Sequence, residues 1–339
     1  MVLLDPQLQK AELQSFITAS DEQNAAANAY PLVSAFPTEE VEDIEGVYDI
    51  IEQQVNVAAS ITGFNSGAPI RSKGQGKQAI AELTKIQDAY HLDEKEMYHY
   101  RNPRTDAERQ KIIDGVLVST AELSDGVEKT KELLRASMAY NGRLDYEDPR
   151  TETRISLDLG RPEENNLTVS AAWGTDEATP ITDLELAIEQ YQRTNGNKKP
   201  EIINVNSKTY AKLKRSGQIK LELFGDTRTP RIVKDDDFQS LLNSFGLPPI
   251  QVDDNETSVV QIDGTHKIIK HLADDKVVLR ASVLGKTLSG PSVENNFAKG
   301  KFVTTVISQD PVSEKTIVGE VALPVTQNLN GTVFLNVNP

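Results

Sequence analysis

The sequence predicts an α+β protein in which one unusually long helix lies against strands. Three observations support this class. A one-face helical stripe runs from residue 105 to residue 141. Strand-like segments lie on both sides of it, and residues 200–217 form a strand, cap and helix pattern typical of a small α/β unit. A chain of 339 residues is long enough for two or three subdomains with a sizeable core.

Composition argues against several classes of protein. The formal net charge is −15, whereas a sequence-independent nucleic-acid binder needs a basic surface that releases counterions from phosphate. The same charge argues against docking on anionic lipid. Cysteine is absent, so the chain has no disulfide and no metal–thiolate site. The first ten residues lack the features of a signal peptide, and no apolar run approaches the roughly 18 residues of a membrane span. We therefore expect a protein that stays in the cytoplasm until the cell lyses.

The first 50 residues predict a short helix followed by a weakly patterned segment. Asp5 and Pro6 are typical of an N-cap and a first helical position. The apolar residues of the helix are Leu8, Leu13, Phe16 and Ile17. From Asp21 onward, two prolines, an alanine tract and an acidic run show no lasting period. Two interpretations stay open: a solvated linker, or an arm that becomes ordered only against a neighbouring molecule.

Residues 51–104 predict a long excursion with a glycine-rich tip. Residues 47–64 are strand-like, and the segment 64–77, FNSGAPIRSKGQGK, holds three glycines, one proline and three basic residues. Residues 78–104 carry mixed helix and strand signals and stop at Pro103. An excursion of this length is uncommon inside a compact domain unless it has a function.

The glycine-rich tip does not fit a nucleotide-binding loop. Residues 76–78, GKQ, lack the required serine or threonine, and Arg71 holds the position of the first glycine. Residues 285–287, GKT, have Arg280 where that glycine belongs. The Rossmann pattern fails as well, because no apolar strand precedes the glycines. The tip therefore needs another explanation.

The strongest local signal is the long helix after residue 105. Thr105 and Glu108 form a capping box. The apolar stripe consists of Ile112, Val116, Leu123, Val127, Leu134 and Met138. Asn141–Gly142 supplies the stop, while Gly115 and Gly126 are the positions where a kink or break could occur. Only one such helix is predicted and its flanks are strand-like, so we interpret it as a rod lying against a sheet.

The remaining chain alternates short strands and helices. Residues 154–160 predict a half-buried strand, and a second capping box at 182–185 predicts a helix that ends near Arg193. Residues 200–217 predict a strand, a cap at Asn206 or Ser207, and a helix ending at Gly217. Residues 221–256 are poorly patterned. Further strands are predicted at 258–264, 267–272, 276–282, 301–325 and 331–337.

Catalytic and metal-binding motifs are missing from the sequence. None of the histidines lies in a zinc-protease frame; they are His91, His99, His266 and His271. The aspartate clusters lack the alternation of a calcium loop and are interpreted as solvated turns; they lie at 235–237, 253–254 and 274–275. No G-x-S-x-G elbow occurs. We therefore predict no enzyme activity, no cofactor and no metal.

Four segments, in their order along the chain, carry a resemblance to a known family. They are LLRASMAYNGRLDYEDP at 133–149, ISLDLGRPEENNLTVSAAWGTDEATPITDL at 155–184, PEIINVNSKTYAKLKRSGQIK at 200–220 and QDPVSEKTIVGEVALPV at 309–325. In this order they resemble the lambda-type major capsid protein E family of tailed bacteriophages. The resemblance spans most of the chain and is strongest from 105 to 220.

This resemblance implies the tailed-phage major capsid fold and its domains. Residues 1–50 would be the N-terminal arm, and 51–104 the extended loop with its tip at 64–77. Residues 105–180 would form the peripheral domain with the spine helix at 105–141. Residues 181–300 would form the axial domain, and 301–339 the C-terminal strands that return to the sheet.

The implied function is a major capsid protein that assembles into an icosahedral shell around a dsDNA genome, in the virion after assembly in the host cytoplasm. Its partners would be other copies of itself in hexamers and pentamers, a scaffolding protein, a portal and, in some shells, a decoration protein. The genome would be enclosed without specific binding. The rival hypotheses are an encapsulin-like nanocompartment and an acidic cytosolic enzyme without a recognisable motif.

In this interpretation the loop tip contacts neighbouring subunits. Glycines let one sequence adopt several backbone shapes, which suits subunits in non-identical environments. The basic residues would face the acidic surfaces of neighbours, in pairs that are individually weak and salt-sensitive. The predicted contact residues are Phe64, Gly67, Pro69, Ile70, Arg71, Lys73, Gly74, Gly76 and Lys77.

Overall fold

The computed structural model describes residues 2–50, 77–92, 94–158, 161–309 and 312–339. The chain divides into two compact units. Unit 1 comprises Met1–Val47, Ile80–Arg135 and Gly285–Val325; unit 2 comprises Tyr48–Ala79, Ala136–Leu284 and Thr326–Pro339. Helices and sheets occur in both units, so the predicted α+β class is confirmed.

The helices are α1 Lys10–Ala26, α2 Glu94–Arg101, α3 Asp106–Ala136, α4 Pro180–Thr194, α5 Ser207–Arg215, α6 Gly217–Phe224 and α7 Asp235–Ser244. The strands are β1 Thr38–Glu40, β2 Glu45–Ile50, β3 Lys77–Glu82, β4 Thr84–Leu92, β5 Arg143–Glu147, β6 Arg154–Asp158, β7 Asn166–Thr168, β8 Ile202–Val205, β9 Ile250–Val252, β10 Glu256–Val260, β11 His266–Lys270, β12 Lys276–Arg280, β13 Gly285–Gly290, β14 Phe302–Gln309, β15 Val312–Thr326 and β16 Thr332–Asn336.

Unit 1 is built on a five-stranded sheet. Its strands follow the order β1-β13-β15-β14, and β4 also pairs with β15. β15 pairs antiparallel with both β14 and β4, whereas β1 pairs parallel with β13. The core residues come from the N-terminal segment, α3 and this sheet; they include Leu8, Leu13, Ile17, Ile113, Val116, Val303 and Val318. The sheet therefore shares one core with both helical segments.

The predicted long helix is confirmed as α3. Its capping box forms in part: the Glu108 N–H donates to Thr105 Oγ1 at 3.2 Å, while the Glu108 carboxylate accepts from the Arg104 N–H at 2.6 Å. The helix runs unbroken through Gly115 and Gly126. A five-residue π turn, Ser137–Asn141, follows directly, and Gly142 ends it in the left-handed region with φ of 67°.

The N-terminal segment is more ordered than a solvated linker. α1 has 17 residues, rather than the short helix that was expected, and begins at Lys10 because Pro6–Leu8 forms a separate 3-10 turn. Beyond α1, the Leu32 N–H donates to the Glu132 carboxylate at 2.7 Å, and β1 pairs with β13. The segment packs on its own unit 1, so both interpretations are wrong: it is neither a solvated linker nor an arm that becomes ordered only against a neighbouring molecule.

Unit 2 contains a five-stranded sheet in the order β7-β16-β12-β8-β9. Buried residues from this sheet and from the helices α4 to α7 form its core. Asn206 caps α5 by accepting from the Thr209 N–H at 2.8 Å, one of the two caps predicted. Trp173 is buried and its Nε1 donates to Asp183 at 2.9 Å, so its role is structural.

Three predictions for unit 2 are wrong in detail. α4 begins at Pro180 rather than after Thr182, because proline occupies the first helical turn and the Thr182 hydroxyl instead accepts from Gln218. The poorly patterned residues 221–256 contain the end of α6, all of α7 and β9. In addition, α5 ends at Arg215 and Gly217 begins α6 instead of ending a helix.

Candidate functional site

The predicted loop-tip residues fall almost entirely beyond what the structure describes. Phe64, Gly67, Pro69, Ile70, Arg71, Lys73, Gly74 and Gly76 lie outside the described residues. Lys77 is the first residue of β3. The assignment of these residues to a contact between subunits stays a prediction.

The described stem below the tip is a two-stranded ribbon with exposed apolar side chains. β2 pairs with β3, and the Leu83 N–H donates to the Ile44 carbonyl at 2.8 Å. β2 alternates exposed and buried positions, with Tyr48 buried and Val47 exposed. Ile44 and Ile80 are also exposed. Apolar groups clustered on a ribbon are suited to a protein contact.

A tight turn at residues 291–300 is a second candidate contact surface. Asn296 and Phe297 have φ values of 52° and 63°, in the left-handed region that bulky residues rarely adopt. The turn is closed by the Phe297 N–H, which donates to the Ser292 carbonyl at 2.8 Å. Phe297 is 71% exposed and Val293 69% exposed. A strained turn that presents two apolar side chains to solvent is suited to contact with another protein.

A buried ionic cluster holds unit 1 together. We define the unit 1 cluster by its charged members: Asp21, Glu128, Lys131, Glu132, Arg135, Lys301 and Glu320. Lys131 Nζ lies 2.6 Å from carboxylate oxygens of both Glu128 and Glu320. Lys301 Nζ lies 2.9 Å from Glu128 and 2.8 Å from Asp21. α1, α3, β15 and the residue directly before β14 are therefore joined by one set of charges.

These charges are stabilised as ions. Burial raises the pKa of Glu128, but Lys131 and Lys301 outweigh it and hold that pKa at about 2. Burial likewise lowers the pKa of Lys131, while Glu320 and Glu128 outweigh it and leave the pKa above its ordinary value. Each charge in the cluster has a partner, so we interpret the cluster as structural.

The arginine of the unit 1 cluster extends it to the N-terminal segment. Arg135 Nη1 donates to Glu132 at 3.1 Å, and its Nε donates to Thr287 Oγ1 at 3.1 Å. The Thr287 hydroxyl in turn donates to the Phe36 carbonyl at 2.9 Å. Polar groups of α3 and β13 thus satisfy backbone groups of residues 32–36, which explains why this segment is ordered.

The titratable groups that the sequence singled out have structural partners. His271 is buried, its Nε2 lies 2.8 Å from Thr257 Oγ1, and burial lowers its pKa. Asp254 accepts from the Ser207 N–H at 2.8 Å. Asp253 is buried and accepts from the Tyr140 hydroxyl, so its interpretation as part of a solvated turn is wrong. Within the described ranges, no group of three or more such residues is arranged to hold a metal ion.

No helix among the described residues is long and apolar enough to cross a membrane.

Elsewhere in unit 2, an open pocket is lined by three cationic side chains, those of Arg143, Arg161 and Lys276. This pocket could not be predicted from the sequence, because its residues lie on separate segments and carry no motif.

Known proteins are similar to this chain in family and in fold. The family described as phage major capsid protein E matches residues 34–337. A phage-related protein from Bordetella bronchiseptica RB50 is 12% identical, with 96% of each chain covered and a TM-score of 0.56. A protein described as a prophage capsid protein from E. coli CFT073 is 14% identical, with 97% of this chain and 99% of that chain covered and a TM-score of 0.59. No curated protein matches the chain in sequence.

These comparisons bear on fold and family separately. At such low identity the two structures show the fold alone, which is the predicted tailed-phage major capsid fold. The family match covers most of the chain, and proteins of this family have a structural role as major capsid proteins. The chain belongs to the phage major capsid protein E family and is a shell-forming capsid protein of the phage virion.

Proposed function

We propose that this chain is the repeating subunit of an icosahedral shell, arranged in hexamers and pentamers around the dsDNA genome of a tailed phage. The family match over residues 34–337 is the observation that carries the proposal. Assembly would take place in the host cytoplasm, guided by a scaffolding protein and a portal. A decoration protein is compatible with this arrangement. Neither an enzyme activity nor a cofactor is part of it.

The charge of the chain supports a passive relation to the genome. With a net charge of −15, the subunit repels phosphate on average, so it would enclose DNA without binding it tightly. An encapsulin-like compartment would use the same fold around a protein cargo. The match to a phage capsid family favours the genome-enclosing shell.

We assign the two units to the domains of this proposal, with bounds that differ from the expected ones at 180 and 300. Unit 1 holds the long helix α3 and the sheet that carries the N-terminal segment, so we assign it to the peripheral domain with the N-terminal arm. Unit 2, with the sheet β7-β16-β12-β8-β9 and the helices α4 to α7, is assigned to the axial domain. Residues 51–104 would supply the extended loop, in which β3 pairs with β2 of the preceding segment.

Electron microscopy of the purified protein tests the proposal, with the protein produced alone and together with its candidate scaffolding protein. Closed shells or sheets of hexamers are expected. A monodisperse monomer or dimer under both conditions would contradict it. Shells that enclose an enzyme rather than a genome would favour the nanocompartment.

The loop tip can be tested within the same system. Replacing Arg71, Lys73 and Lys77 together with Glu should block assembly while leaving the subunit folded, because the reversed charges would face acidic neighbours. Circular dichroism and sedimentation velocity would check folding and assembly.

A matched control carries the same change in net charge elsewhere on the chain. Lys111, Lys199 and Lys267 are exposed, and their joint replacement with Glu should permit shells. Normal shells from the loop-tip variant would refute the contact role of its charges.

A further inference from the structure

An open pocket of unit 2, of about 430 Å³, is lined by three cationic side chains. Arg143 lies on β5, Arg161 follows β6, and Lys276 is the first residue of β12. The pocket also contains one carboxylate, that of Asp145. Its Oδ1 accepts from Arg154 Nε and Nη2, both at 3.2 Å, and its Oδ2 accepts from Nη2 at 3.5 Å. The pocket therefore carries an excess of positive charge.

Arg161 is the member of this pocket whose guanidinium is partly shielded from solvent without a matching set of hydrogen bonds. Within the described part of the chain, its Nε and Nη2 are shielded from solvent and make no hydrogen bond, and its Nη1 has a long contact of 3.4 Å to Asn166. Burial lowers the pKa of Arg161 to about 10. Shielded guanidinium groups in proteins are ordinarily paired, so this side chain is arranged for a partner that its own unit does not provide.

The surroundings hold the guanidinium in place. It lies over the Phe334 ring, 5.1 Å from the centroid, and Lys276 Nζ lies 4.9 Å from the same centroid. Gly142 has φ of 67°, and a Cβ at this position would overlap the guanidinium. A glycine at the end of the π turn therefore leaves room for Arg161, while the aromatic ring fixes its plane.

We propose that the pocket around Arg161, Arg143 and Lys276 binds an oxyanion, and that in the assembled shell this oxyanion is a side-chain carboxylate of a second copy of this chain. Three cationic side chains converge on this pocket, and a guanidinium binds a carboxylate through charge-assisted hydrogen bonds. This inference rests on the proposed shell function.

The composition of the chain favours a second copy over nucleic acid as the source. Each subunit carries 51 acidic against 36 basic residues, so neighbouring subunits offer many carboxylates. The same imbalance repels a phosphate backbone. In a shell, neighbouring copies are also held at high effective concentration, which favours such a contact.

The first arm of the test uses inorganic phosphate as the probe on the unassembled subunit. Phosphate should raise the melting temperature of the wild type more than sodium chloride does at equal ionic strength. Since phosphate stabilises folded proteins in general, the comparison with variants is decisive. Arg161→Gln should weaken the phosphate affinity at least about tenfold, as expected for the loss of a charge-assisted hydrogen bond.

Two further variants keep this arm interpretable. Arg143→Gln with Lys276→Gln tests the pocket without touching Arg161, in case Arg161→Gln does not fold. Arg193→Gln is the matched control, because Arg193 is an exposed arginine of α4 outside the pocket. An equal phosphate response in all four proteins would overturn the oxyanion site.

The second arm identifies the source of the oxyanion. Shells of Arg161→Gln are expected to form in lower yield or to dissociate at a lower urea concentration than wild-type shells, and wild-type shells should lose the phosphate response because a carboxylate occupies the pocket. Unchanged shells that still respond to phosphate would overturn the second-copy carboxylate and leave free phosphate as the ligand. A wild type that forms no shell would refute the proposed function, whereas the first arm would still decide the oxyanion site.

Discussion

Shielded charges are handled differently in the two units. In unit 1, Lys131 lies between Glu128 and Glu320, and the side chains of Lys131 and Glu320 are each 5% exposed. In unit 2, the Arg161 guanidinium is also shielded but has no carboxylate within hydrogen-bond distance among the described residues. Both arrangements remove a cation from water. In unit 1, carboxylates of the same chain compensate for the lost hydration, whereas in unit 2 no described carboxylate does so for Arg161.

This difference separates structural charges from contact charges. Burying an ion pair costs free energy because both charges lose their hydration. A close, fully hydrogen-bonded contact between the two charges recovers that free energy. The pair Lys131–Glu320 thus fixes the position of α3 on β15. A shielded cation without a partner has the same desolvation cost, and no ion pair offsets it. We therefore expect such a cation where a partner from another molecule binds it. The predictions below test this distinction.

The largest expected effect comes from removing one charge of the buried ion pair in unit 1. Lys131→Met should lower the free energy of unfolding of the unassembled subunit by about 3–5 kcal/mol, because it leaves Glu320 buried without a counter-charge. Urea denaturation monitored by circular dichroism measures it.

A double variant supplies the control for Lys131→Met. Lys131→Met with Glu320→Leu removes both charges, while Glu128 keeps Lys301 as its partner. Most of the lost stability should return, as a coupling energy between the two sites. Additive losses would show that the pair is not the stabilising unit.

The second prediction concerns pH. The pKa of Glu128 falls from the ordinary 4.5 to about 2 in the folded chain, so its contribution is present above pH 4.5 and is lost as pH falls through 2. At neutral pH, Glu128→Gln should be less stable than the wild type by up to about 3 kcal/mol. The difference should shrink as the pH is lowered toward 2. A difference independent of pH would contradict the ion-paired state.

The smallest effect is expected on the unpaired side. Arg161→Gln breaks no ion pair among the residues that the structure describes, so the free energy of unfolding should change by about 1 kcal/mol or less, the scale of its contact with Phe334. Arg193→Gln, which removes an exposed pair with Glu189, serves as the control and should change it by about 0.5 kcal/mol or less. A loss near that of Lys131→Met would mean that Arg161 is structural.

The elements that the sequence predicted well are those with local signals. α3 could be predicted from its capping box, its apolar stripe and Gly142, because all three act within a few residues. The Asn206 cap and the strands β10 to β12 have similar local causes. α7 was missed because Phe238 and Leu242 are its only fully buried apolar positions. The order of the N-terminal segment depends on Glu132 and β13, which are distant in the sequence.

The site was harder to predict than the fold for the same reason. Glycines and basic residues mark the loop tip in the sequence, and the positive φ of Asn296 agrees with the tolerance of asparagine for that region. Nothing local marks Arg161 as unpaired. That state depends on Lys276 and Phe334, which tertiary structure brings to the same pocket, and on the engagement of Asp145 by Arg154.

The most direct test of this distinction is a cryo-electron microscopy map of the assembled shell at a resolution that shows side chains. We expect a carboxylate of a neighbouring subunit within hydrogen-bond distance of the Arg161 guanidinium. Lys131 should keep Glu128 and Glu320 of its own chain as partners. An Arg161 side chain that faces only its own subunit or bulk solvent in every subunit of the shell would contradict it.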